Sequence, residues 1–415
     1  MSVALATRQR VGIEKIWAYP GQTALDMTEL ADARDREHSY VRETLLVKER
    51  SVNPCWEDPA TIAVNAAKDM LTDEDKASIE WLLVGTESSP DQGKPISTFV
   101  HRFLDLPPTC RNFETKHACY SGTSALMTAV HWVASGVAGD AKALVIATDQ
   151  SRMHLGSPWE FVMGTGAVAM LISNKPKVIE FELETNGYWT KEVGDTFRPT
   201  SKIEAGNTEN SVYCYLEALE GAYDHFLTKA GEVDMNTDFK AHLYHVPFGG
   251  MVFRAHRTLL RRTRPVKKKE AQANFDAKVL PGLSHNSRFG GTYSASTFLA
   301  LMGMVDNNPD LQPGDPLSIF SYGSGSCSEF YRVHLCPEAK EVVAQANLQG
   351  LLDQRQKISV AEYEAIEAER TSYIDEGTYT PPTDGINNLY KNQYEGKNLL
   401  VLKKLDGFFR HYDWS

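Results

Sequence analysis

A cysteine, a glutamate and a histidine stand at three separate points of the sequence where an acyl-transfer site would need them. Cys119 lies in residues 113–126, F-E-T-K-H-A-C-Y-S-G-T-S-A-L, just ahead of the apolar run 125–134. The pattern predicts a turn into a helix, whose unsatisfied N–H groups and positive dipole end favour a thiolate. A thiolate attacks thioesters. The alternative is an inert, buried cysteine.

Glu87 and His245 each follow a predicted buried strand. Glu87 comes after residues 81–85, in the loop T-E-S-S-P-D-Q-G-K, and His245 follows residues 239–244 in the segment H-V-P-F. Open α/β sheets place reactive groups at the carboxyl ends of their strands, so both side chains are candidates for chemistry. Taken alone, the spacing favours a solvated loop glutamate and a hydrogen-bonded structural histidine.

Together these segments resemble the 3-hydroxy-3-methylglutaryl (HMG) synthases, a branch of the thiolase superfamily. The resemblance rests on H-A-C-Y-S-G-T around Cys119, T-E-S around Glu87 and H-x-P-F beginning at His245, and it spans about residues 12–331. It implies that Cys119 takes an acetyl group and that Glu87 removes a proton from the acetyl methyl and later protonates the new alcohol. His245 would hold and polarise the acceptor ketone.

The same resemblance implies residues that line the acyl pocket. Tyr293 and Ser294 stand in G-G-T-Y-S-A-S, and Ser324 stands in S-Y-G-S-G. The backbone N–H of Cys119 and one from the turn that contains Ser324 and Gly325 are candidates for stabilising the thioester oxyanion.

Three further positions carry weaker expectations. Asp149 ends a strand as the family's aspartate does, and an N-cap or turn role is the alternative. The segment F-R-P-T-S, residues 197–201, resembles a family segment near the substrate entrance. Arg34 is a candidate contact for a phosphopantetheine phosphate.

The elements that must position these residues alternate between strand and helix, which predicts an α/β protein. Apolar runs predict buried strands at 11–19, 141–149, 164–173, 178–183, 316–322 and 327–334. Periodic runs predict helices at 23–33, 59–71, 96–104 and 213–230, a turn into a helix at 289–301, and a charged helical tail from 338 to 415.

The resemblance implies the thiolase fold, a duplicated five-layer αβαβα architecture with two mixed β-sheets. The first half, residues 1–174, would carry Glu87 and Cys119. The second half, residues 175–415, would carry His245, an insertion and the C-terminal helical tail.

Composition narrows the function classes. The 415 residues are 42% hydrophobic, enough for a large core, and the net charge of −11 argues against nucleic acid or an anionic membrane as partner. Six scattered cysteines suggest neither a disulfide framework nor a metal site and fit a reducing cytoplasm. No apolar run reaches the ~20 residues of a membrane span. No Walker loop or dinucleotide motif stands in a strand–turn–helix context, so no bound cofactor is expected.

Two departures from the family pattern bear on the substrate carrier. Gly250 stands where CoA-using bacterial members typically have a lysine suited to CoA phosphates, and Gly291 stands where the family usually has an asparagine. Basic residues gather downstream instead, at Arg254, Arg257, Arg261, Arg262, Arg264, Lys267, Lys268 and Lys269. They form either a solvated helix face or a docking surface for an acidic acyl carrier protein, which presents its acyl group on a phosphopantetheine arm.

The chain is therefore similar to the carrier-protein-dependent HMG synthases of polyketide β-branching cassettes, of the curacin and jamaicamide type. This resemblance implies a cytoplasmic homodimer that takes acetyl from a donor acyl carrier protein onto Cys119. The acetyl group would condense with a β-ketoacyl (acetoacetyl-type) group on an acceptor acyl carrier protein, and hydrolysis would give an HMG-type product.

Three other functions stay open. The first is a primary-metabolism HMG-CoA synthase that uses acetyl-CoA and acetoacetyl-CoA. The second is a ketoacyl synthase, which would need a His/Asn pair and gives Glu87 no role. The third is a catalytically inactive scaffold of the same fold.

Overall fold

A large mixed β-sheet organises the protein. The structure, a computed structural model, describes residues 9–151 and 155–415. Within these residues the strands are β1 (Gly12–Tyr19), β2 (Thr23–Asp26), β3 (Glu49–Ser51), β4 (Ile79–Gly85), β5 (Arg111–Thr115), β6 (Lys142–Gln150), β7 (Thr165–Ser173), β8 (Ile179–Thr190), β9 (Thr196–Phe197), β10 (Ala205–Gly206), β11 (Ala241–Tyr244), β12 (Pro316–Gly323), β13 (Cys327–Leu335), β14 (Gln356–Ile358), β15 (Leu400–Asp406) and β16 (Phe409–Trp414).

The main sheet has nine strands in the order β11-β12-β13-β8-β1-β7-β6-β4-β5. At one end, β5, β4 and β6 run parallel and are followed by antiparallel β7 and β1. At the other end, β11 and β12 run parallel and are followed by antiparallel β13 and β8. The predicted α/β class with mixed sheets is confirmed. The two predicted sheets form one continuous sheet, because β1 of the first half pairs with β8 of the second half through Gly12 with Glu180 and Ile13 with Ile179.

Helices cover both faces of the sheet. The α-helices among the described residues are α1 (Met27–Ala33), α2 (Pro59–Ala67), α3 (Asp73–Ser78), α4 (Ser97–Phe103), α5 (Ser121–Ala134), α6 (Thr208–Ala230), α7 (Gly249–Thr263), α8 (Lys268–Lys278), α9 (Leu283–Phe289), α10 (Ser296–Asn307), α11 (Ala339–Gln345), α12 (Leu348–Asp353), α13 (Val360–Tyr373) and α14 (Leu389–Gln393). A π-helical turn spans Tyr40–Leu45, and short 3₁₀ turns span Pro158–Phe161, Leu280–Gly282, Tyr293–Ala295 and Ile386–Asn388. No helix among the described residues is long and apolar enough to cross a membrane.

Alternating residues of the central strands face two different cores. Leu83 and Val145 belong to the core that contains α5, whereas Leu82 and Ile146 belong to the core that contains α2. This follows from the two-residue repeat of a strand that is buried on both faces. Helix α5 in turn packs on the second half of the chain, because an added Cβ at Gly122 would lie 3.2 Å from the Phe298 ring of α10.

Two predicted helices are wrong in part. Residues 23–26 are strand β2, and the helix begins at Met27 because the Asp26 side chain caps it by accepting from the Thr28 N–H at 2.8 Å. The tail has helices α11 to α14 but ends in the antiparallel hairpin β15–β16. Burial of Leu400, Val401, Leu402 and Tyr412 against the rest of the protein stabilises the hairpin.

The C-terminal hairpin completes the first half of the chain in space, although sequence order places it in the second. Asn65 on α2 donates to the Leu400 carbonyl at 3.1 Å and accepts from the Leu400 N–H at 2.8 Å. The Tyr412 hydroxyl donates to Asp58 at 2.6 Å. The hairpin therefore seals the outer face of α2, on the side opposite α5.

Candidate active site

A single cavity of about 940 Å³ brings together the three reactive residues that the sequence separates. Cys119, Glu87 and His245 all line it. Glu87 follows the end of β4, Cys119 precedes α5, and His245 follows the end of β11. Strand ends from both halves of the chain therefore open into one space, as expected for an open α/β sheet.

The turn that carries Cys119 is fixed by crowded backbone on both sides. Helix α5 begins at Ser121, two residues after the cysteine, as predicted. An added Cβ at Gly323, the end of β12, would lie 2.5 Å from the His117 carbonyl oxygen. An added Cβ at Gly85, the end of β4, would lie 2.5 Å from the Ser121 carbonyl oxygen. Only glycine allows the backbone to approach this closely.

Cys119 and Glu87 form a hydrogen-bonded pair. The Cys119 thiol donates to Glu87 Oε2 at an Sγ–O distance of 3.6 Å. Burial, and then the Glu87 charge, raise the pKa of Cys119 well above its ordinary value. Burial also raises the pKa of Glu87 to about 8, against the lowering effect of Arg198. The predicted thiolate is therefore wrong for the resting protein, because desolvation outweighs the helix dipole.

Asp149 does not line the cavity, but its carboxylate accepts hydrogen bonds from residues that do. Its Oδ1 accepts from the Glu87 N–H at 2.8 Å and the Ser88 hydroxyl at 2.9 Å. Its Oδ2 accepts from the Ser294 hydroxyl at 2.6 Å. Burial raises the pKa of Asp149, although these hydrogen bonds oppose it. Asp149 thus links the Glu87 loop to the turn of Ser294. Ser294 does not line the cavity, although the sequence placed it in the acyl pocket, because its hydroxyl is directed to Asp149 and to the Gly85 carbonyl oxygen.

Arg198 is a site residue to which the sequence analysis assigned no role. It lines the cavity, and its Nε lies 3.2 Å from Glu87 Oε1. Its guanidinium also lies 3.5 Å from Glu204 Oε2 and stacks over the Tyr293 ring, with Cζ 4.7 Å from the ring centroid. The Tyr293 hydroxyl donates to Glu204 Oε2 at 3.1 Å. The segment F-R-P-T-S had marked this region, but its carboxylate partner Glu87 comes from a distant part of the chain, and Glu204 is brought to it by the local pairing of β9 with β10.

His245 is held as a neutral imidazole. Burial lowers its pKa to about 3. Its Nδ1 lies 2.8 Å from the Ser296 hydroxyl, which accepts from the Val246 N–H at 3.1 Å. The Ser296 hydroxyl can donate to Nδ1, an arrangement that places the proton of the ring on Nε2. The Ser296 hydroxyl was not singled out from the sequence.

The turn after β12 supplies the wall near Cys119. Ser324 and Gly325 line the cavity. The Gly325 N–H donates to Asp195 Oδ1 at 3.1 Å, and the Tyr322 hydroxyl donates to Asp195 Oδ2 at 2.6 Å. The Gly325 N–H is therefore engaged, which leaves the N–H groups of Cys119 and Ser324 as the candidate oxyanion donors.

Arg34 and the basic cluster lie away from the cavity. Arg34 Nη2 is 2.9 Å from Glu160 Oε1 and 2.6 Å from Glu364 Oε1, so its charge already has partners where a phosphate contact was predicted. All five predicted docking residues are described, and none lines the cavity; they are Arg257, Arg261, Arg262, Arg264 and Lys267. Arg262 pairs with Asp224 and Arg264 pairs with Glu270 on the exposed surface.

The two departures from the family pattern have a steric basis. An added Cβ at Gly250 would lie 2.0 Å from the Thr44 carbonyl oxygen, and one at Gly291 would lie 2.5 Å from the Val162 carbonyl oxygen. Neither position has room for a side chain without movement of the backbone. Among the described residues, no group of three or more His, Cys, Asp or Glu side chains could hold a metal ion.

Comparisons with known proteins cover both halves of the chain. Residues 8–177 match the family model "Hydroxymethylglutaryl-coenzyme A synthase N terminal", and residues 260–413 match the corresponding "C terminal" model. The chain is 37% identical over 418 residues to the polyketide biosynthesis 3-hydroxy-3-methylglutaryl-ACP synthase PksG of Bacillus subtilis (strain 168), covering 97% of this chain and 99% of the relative.

Two other relatives differ in whether CoA or an acyl carrier protein is named with them. The hydroxymethylglutaryl-CoA synthase of Enterococcus faecalis is 32% identical over 362 residues, covering 86% of this chain and 92% of the relative. The HMG synthase of the curacin biosynthetic pathway superposes with a TM-score of 0.93 at 38% identity, covering 98% of this chain and 100% of that one. That synthase has also been solved in complex with an acetyl donor-ACP.

Proposed function

The chain belongs to the hydroxymethylglutaryl-coenzyme A synthase family, and from this premise we propose that it is an HMG synthase that works on carrier-protein-bound substrates. It takes acetyl from a donor acyl carrier protein and condenses it with a β-ketoacyl group on an acceptor acyl carrier protein. The observation that carries the chemistry is the meeting of the Cys119 thiol, the Glu87 carboxyl and the His245 imidazole in one cavity, with Cys119 Sγ 3.6 Å from Glu87 Oε2.

The first step is acetyl transfer to Cys119. Glu87 in its ionised form accepts the thiol proton at Oε2 as the sulfur attacks the acetyl carbonyl, and the bond from that carbonyl to the pantetheine sulfur breaks. The leaving pantetheine thiolate takes this proton from Glu87, which is thereby ionised again. The N–H groups of Cys119 and Ser324 are proposed to stabilise the oxyanion that forms on the carbonyl oxygen.

The second step is formation of the carbon–carbon bond. Glu87 Oε2 takes a proton from the acetyl methyl, and the C–H electron pair becomes an enolate that attacks the ketone carbon of the acceptor. His245 donates a hydrogen bond from Nε2 to the ketone oxygen, since its Nδ1 is occupied by Ser296. Protonated Glu87 then returns a proton to the new alkoxide, which gives a tertiary alcohol.

The last step is hydrolysis of the thioester to Cys119. Water adds to the carbonyl and the C–S bond breaks; one proton of the water restores the Cys119 thiol, and the other passes to solvent as the carboxylate forms. The product retains its thioester to the acceptor carrier and gains a free carboxylate.

The proposed use of carrier proteins rests on three supports. The relative PksG is named as an ACP synthase, and the curacin relative has been solved with its acetyl donor-ACP. Backbone crowding at Gly250 also excludes a basic side chain at the position of the CoA-contacting lysine. The basic cluster that includes the half-buried Arg257 and the exposed Arg261 is proposed as the docking surface for the acidic carrier.

Transfer rates test this proposal. Acetyl carrier protein and acetyl-CoA are each offered to the enzyme, and acetyl-Cys119 is measured by mass spectrometry against a Cys119→Ser control. We expect fast acetylation from the carrier protein and slow acetylation from acetyl-CoA. Equal or better use of CoA substrates at both steps would establish a primary-metabolism synthase like the Enterococcus faecalis relative, which is the alternative function.

Two organisational expectations are part of the proposal. The halves 1–174 and 175–415 are proposed as the two repeats of the fold. The final hairpin, β15–β16, belongs to the second half in sequence, but we assign it to the first repeat because it packs against α2. A homodimer is proposed, because β5 is the edge strand of the sheet and most of its residues are only half-buried. Light scattering on the purified protein measures the mass directly, and a 46.3 kDa monomer at micromolar concentration would exclude the dimer.

A further inference from the structure

An arginine lies against the carboxylate oxygen of Glu87 that does not contact Cys119, and a second glutamate pairs with that arginine. The two oxygens of Glu87 have different neighbours: Oε2 accepts from the Cys119 thiol at 3.6 Å, and Oε1 lies 3.2 Å from Arg198 Nε in an ion pair. The oxygen that must reach the acetyl methyl is thereby distinct from the oxygen that faces the Arg198 charge.

Arg198 is itself held on three sides. Its Nη2 lies 3.5 Å from Glu204 Oε2, its Nη1 donates to the Gln150 carbonyl at 3.3 Å, and its plane stacks on the Tyr293 ring. Its side chain is 11% exposed and that of Glu204 is 1% exposed. A guanidinium that is buried to this extent keeps one orientation and stays charged.

Strand register explains why Arg198 and Glu204 are neighbours. The short ribbon β9–β10 pairs Phe197 with Ala205 and Thr196 with Gly206. The next position outward on each strand is Arg198 on one side and Glu204 on the other. The pair is therefore built into the ribbon, which delivers it to the cavity wall as a unit.

The charges around Glu87 act in opposite directions. Burial raises the pKa of Glu87, the Arg198 charge lowers it, and the charges of Asp149 and Glu204 raise it. A base that takes and returns a proton in one cycle needs both forms to be accessible near the working pH. Arg198 opposes the desolvation that would otherwise keep Glu87 protonated, and Glu204 limits that effect.

We infer that Arg198 and Glu204 are positioning residues for the condensation: Arg198 fixes Oε1 of Glu87 so that Oε2 faces the acetyl group, and the two opposite charges together set the balance between protonated and ionised Glu87. This inference rests on the proposed function, because it assumes that Glu87 is the base that forms the enolate. It assigns no direct contact with substrate to either residue.

Deuterium exchange into acetyl-Cys119 measures this balance without the acceptor. The enzyme is acetylated by acetyl carrier protein in D₂O, and the deuterium that the acetyl group gains is followed by mass spectrometry across a range of pH. Each rate is normalised to the amount of acetyl-enzyme. Exchange requires ionised Glu87, so the midpoint of the profile reports its titration in the acetyl-enzyme.

Two variants should move this midpoint in opposite directions. In Arg198→Gln we expect it to rise by about 1–3 pH units, so that the rate is still climbing where the wild type has reached its plateau. In Glu204→Gln we expect it to fall by about 1 unit, because a nearby negative charge is lost. Arg198→Lys keeps the charge and should restore most of the wild-type midpoint.

The double variant Arg198→Gln/Glu204→Gln guards against a failure to fold, because it removes both buried charges together. Its midpoint should return toward that of the wild type. Arg332→Gln, which breaks the partly buried pair with Glu182 at 3.1 Å elsewhere in the sheet, is the matched control and should leave the midpoint unchanged.

The outcomes separate the inference from the function on which it rests. Shifts of Arg198→Gln and Glu204→Gln in the same direction, or slower exchange at an unchanged midpoint, would overturn the inference and leave the function intact. Absence of acetylation or exchange in the wild-type enzyme would overturn the proposed function itself.

Discussion

The chemistry of this protein at the scale of single residues depends on the pair of Cys119 and Glu87. Both side chains lie half-buried in the cavity wall, and desolvation there raises the pKa of each. At neutral pH both groups therefore favour their protonated forms in the resting state, and the proposed acyl transfer uses the fraction of the protein in which Glu87 is ionised. The cavity keeps a neutral thiol beside the carboxyl, which avoids the cost of a desolvated thiolate.

Glu87→Gln should abolish the condensation while the fold is retained. An amide of the same shape keeps the contact with Arg198 but cannot take the methyl proton, so we expect condensation to fall by about 10²–10⁴-fold. The HMG-type product on the acceptor carrier is measured by mass spectrometry. Condensation at the wild-type rate would show that another group is the base.

Ser296→Ala should impair the second half of the reaction more than the first. The variant removes the hydroxyl that lies 2.8 Å from His245 Nδ1 and frees the ring to turn or to change tautomer. We expect condensation to fall about tenfold, which is the effect of one lost hydrogen bond of about 1.4 kcal/mol. Acetylation of Cys119, measured in the same preparation, should be unchanged, and an equal loss in both steps would contradict the proposed role of His245.

At this scale the sequence predicts which residue types react but not their protonation. Local motifs identified Cys119, Glu87 and His245, because each stands at a strand end beside small residues. The thiolate prediction was wrong because the pKa of Cys119 depends on desolvation and on the charges of groups such as Glu87, Asp149 and Glu204, which only the folded chain brings near. The role of Arg198 was missed for the same reason.

Close backbone contacts set the geometry at the scale of elements. Strand β4 ends at Gly85 directly against the first turn of α5, and strand β12 ends at Gly323 against the turn of Cys119. The nucleophile is thereby clamped between the ends of two strands that come from different halves of the chain. No side chain spaces these elements apart, so their relative position is fixed by backbone contact.

Gly85→Ala should therefore cost both stability and activity. The new methyl would lie 2.5 Å from backbone atoms of Ser121 and Gly122, and overpacking of this kind costs about 1–3 kcal/mol. We expect a lower Tm and slower acetylation of Cys119. Gly194→Ala, where nothing lies within 4 Å of the added Cβ, is the control and should behave like the wild type. An unchanged Tm in Gly85→Ala would show that α5 can shift to make room.

The sequence predicted strands and helices well where all residues of an element are buried. It predicted them poorly where the residue pattern fits a strand and a helix equally. The apolar run at 141–149 became β6, and the run at 59–71 became α2 with a slightly earlier end. Residues 23–26 carry no signal that separates strand from helix, and pairing with β3 decided the outcome. The final hairpin was missed because its burial depends on contact with α2, far away in the sequence.

At the scale of the whole molecule, buried carboxyls outside the cavity link stability to pH. Glu57 accepts from the Tyr19 hydroxyl at 2.6 Å, and Glu329 accepts from the Tyr120 hydroxyl at 2.8 Å. Burial raises the pKa of each to about 7 from an ordinary value of 4.5. Both should therefore be protonated in the native protein at mildly acidic pH.

The contribution of these two carboxyls to stability should accordingly fall as the pH rises from about 4.5 to about 7. In this window the two carboxyls of the native state hold protons that the same groups of the unfolded state have released, so each rise in pH lowers their contribution to the free energy of unfolding. Thermal unfolding of the wild type and of Glu329→Gln between pH 5 and pH 8 measures the contribution of Glu329, and the Tm of the wild type should fall relative to that of the variant as the pH rises. A difference in Tm between the two proteins that stays constant from pH 5 to pH 8 would contradict the prediction.

The burial of Cys119 also decides how the protein can be labelled. A thiol that keeps its proton at neutral pH reacts slowly with iodoacetamide, maleimides and peroxide, because these reagents need the thiolate. Exposed cysteines elsewhere in a cell extract would consume such reagents first. A selective inhibitor or imaging probe would instead carry its electrophile on a pantetheine mimic, so that docking of the arm itself draws the proton from sulfur to Glu87.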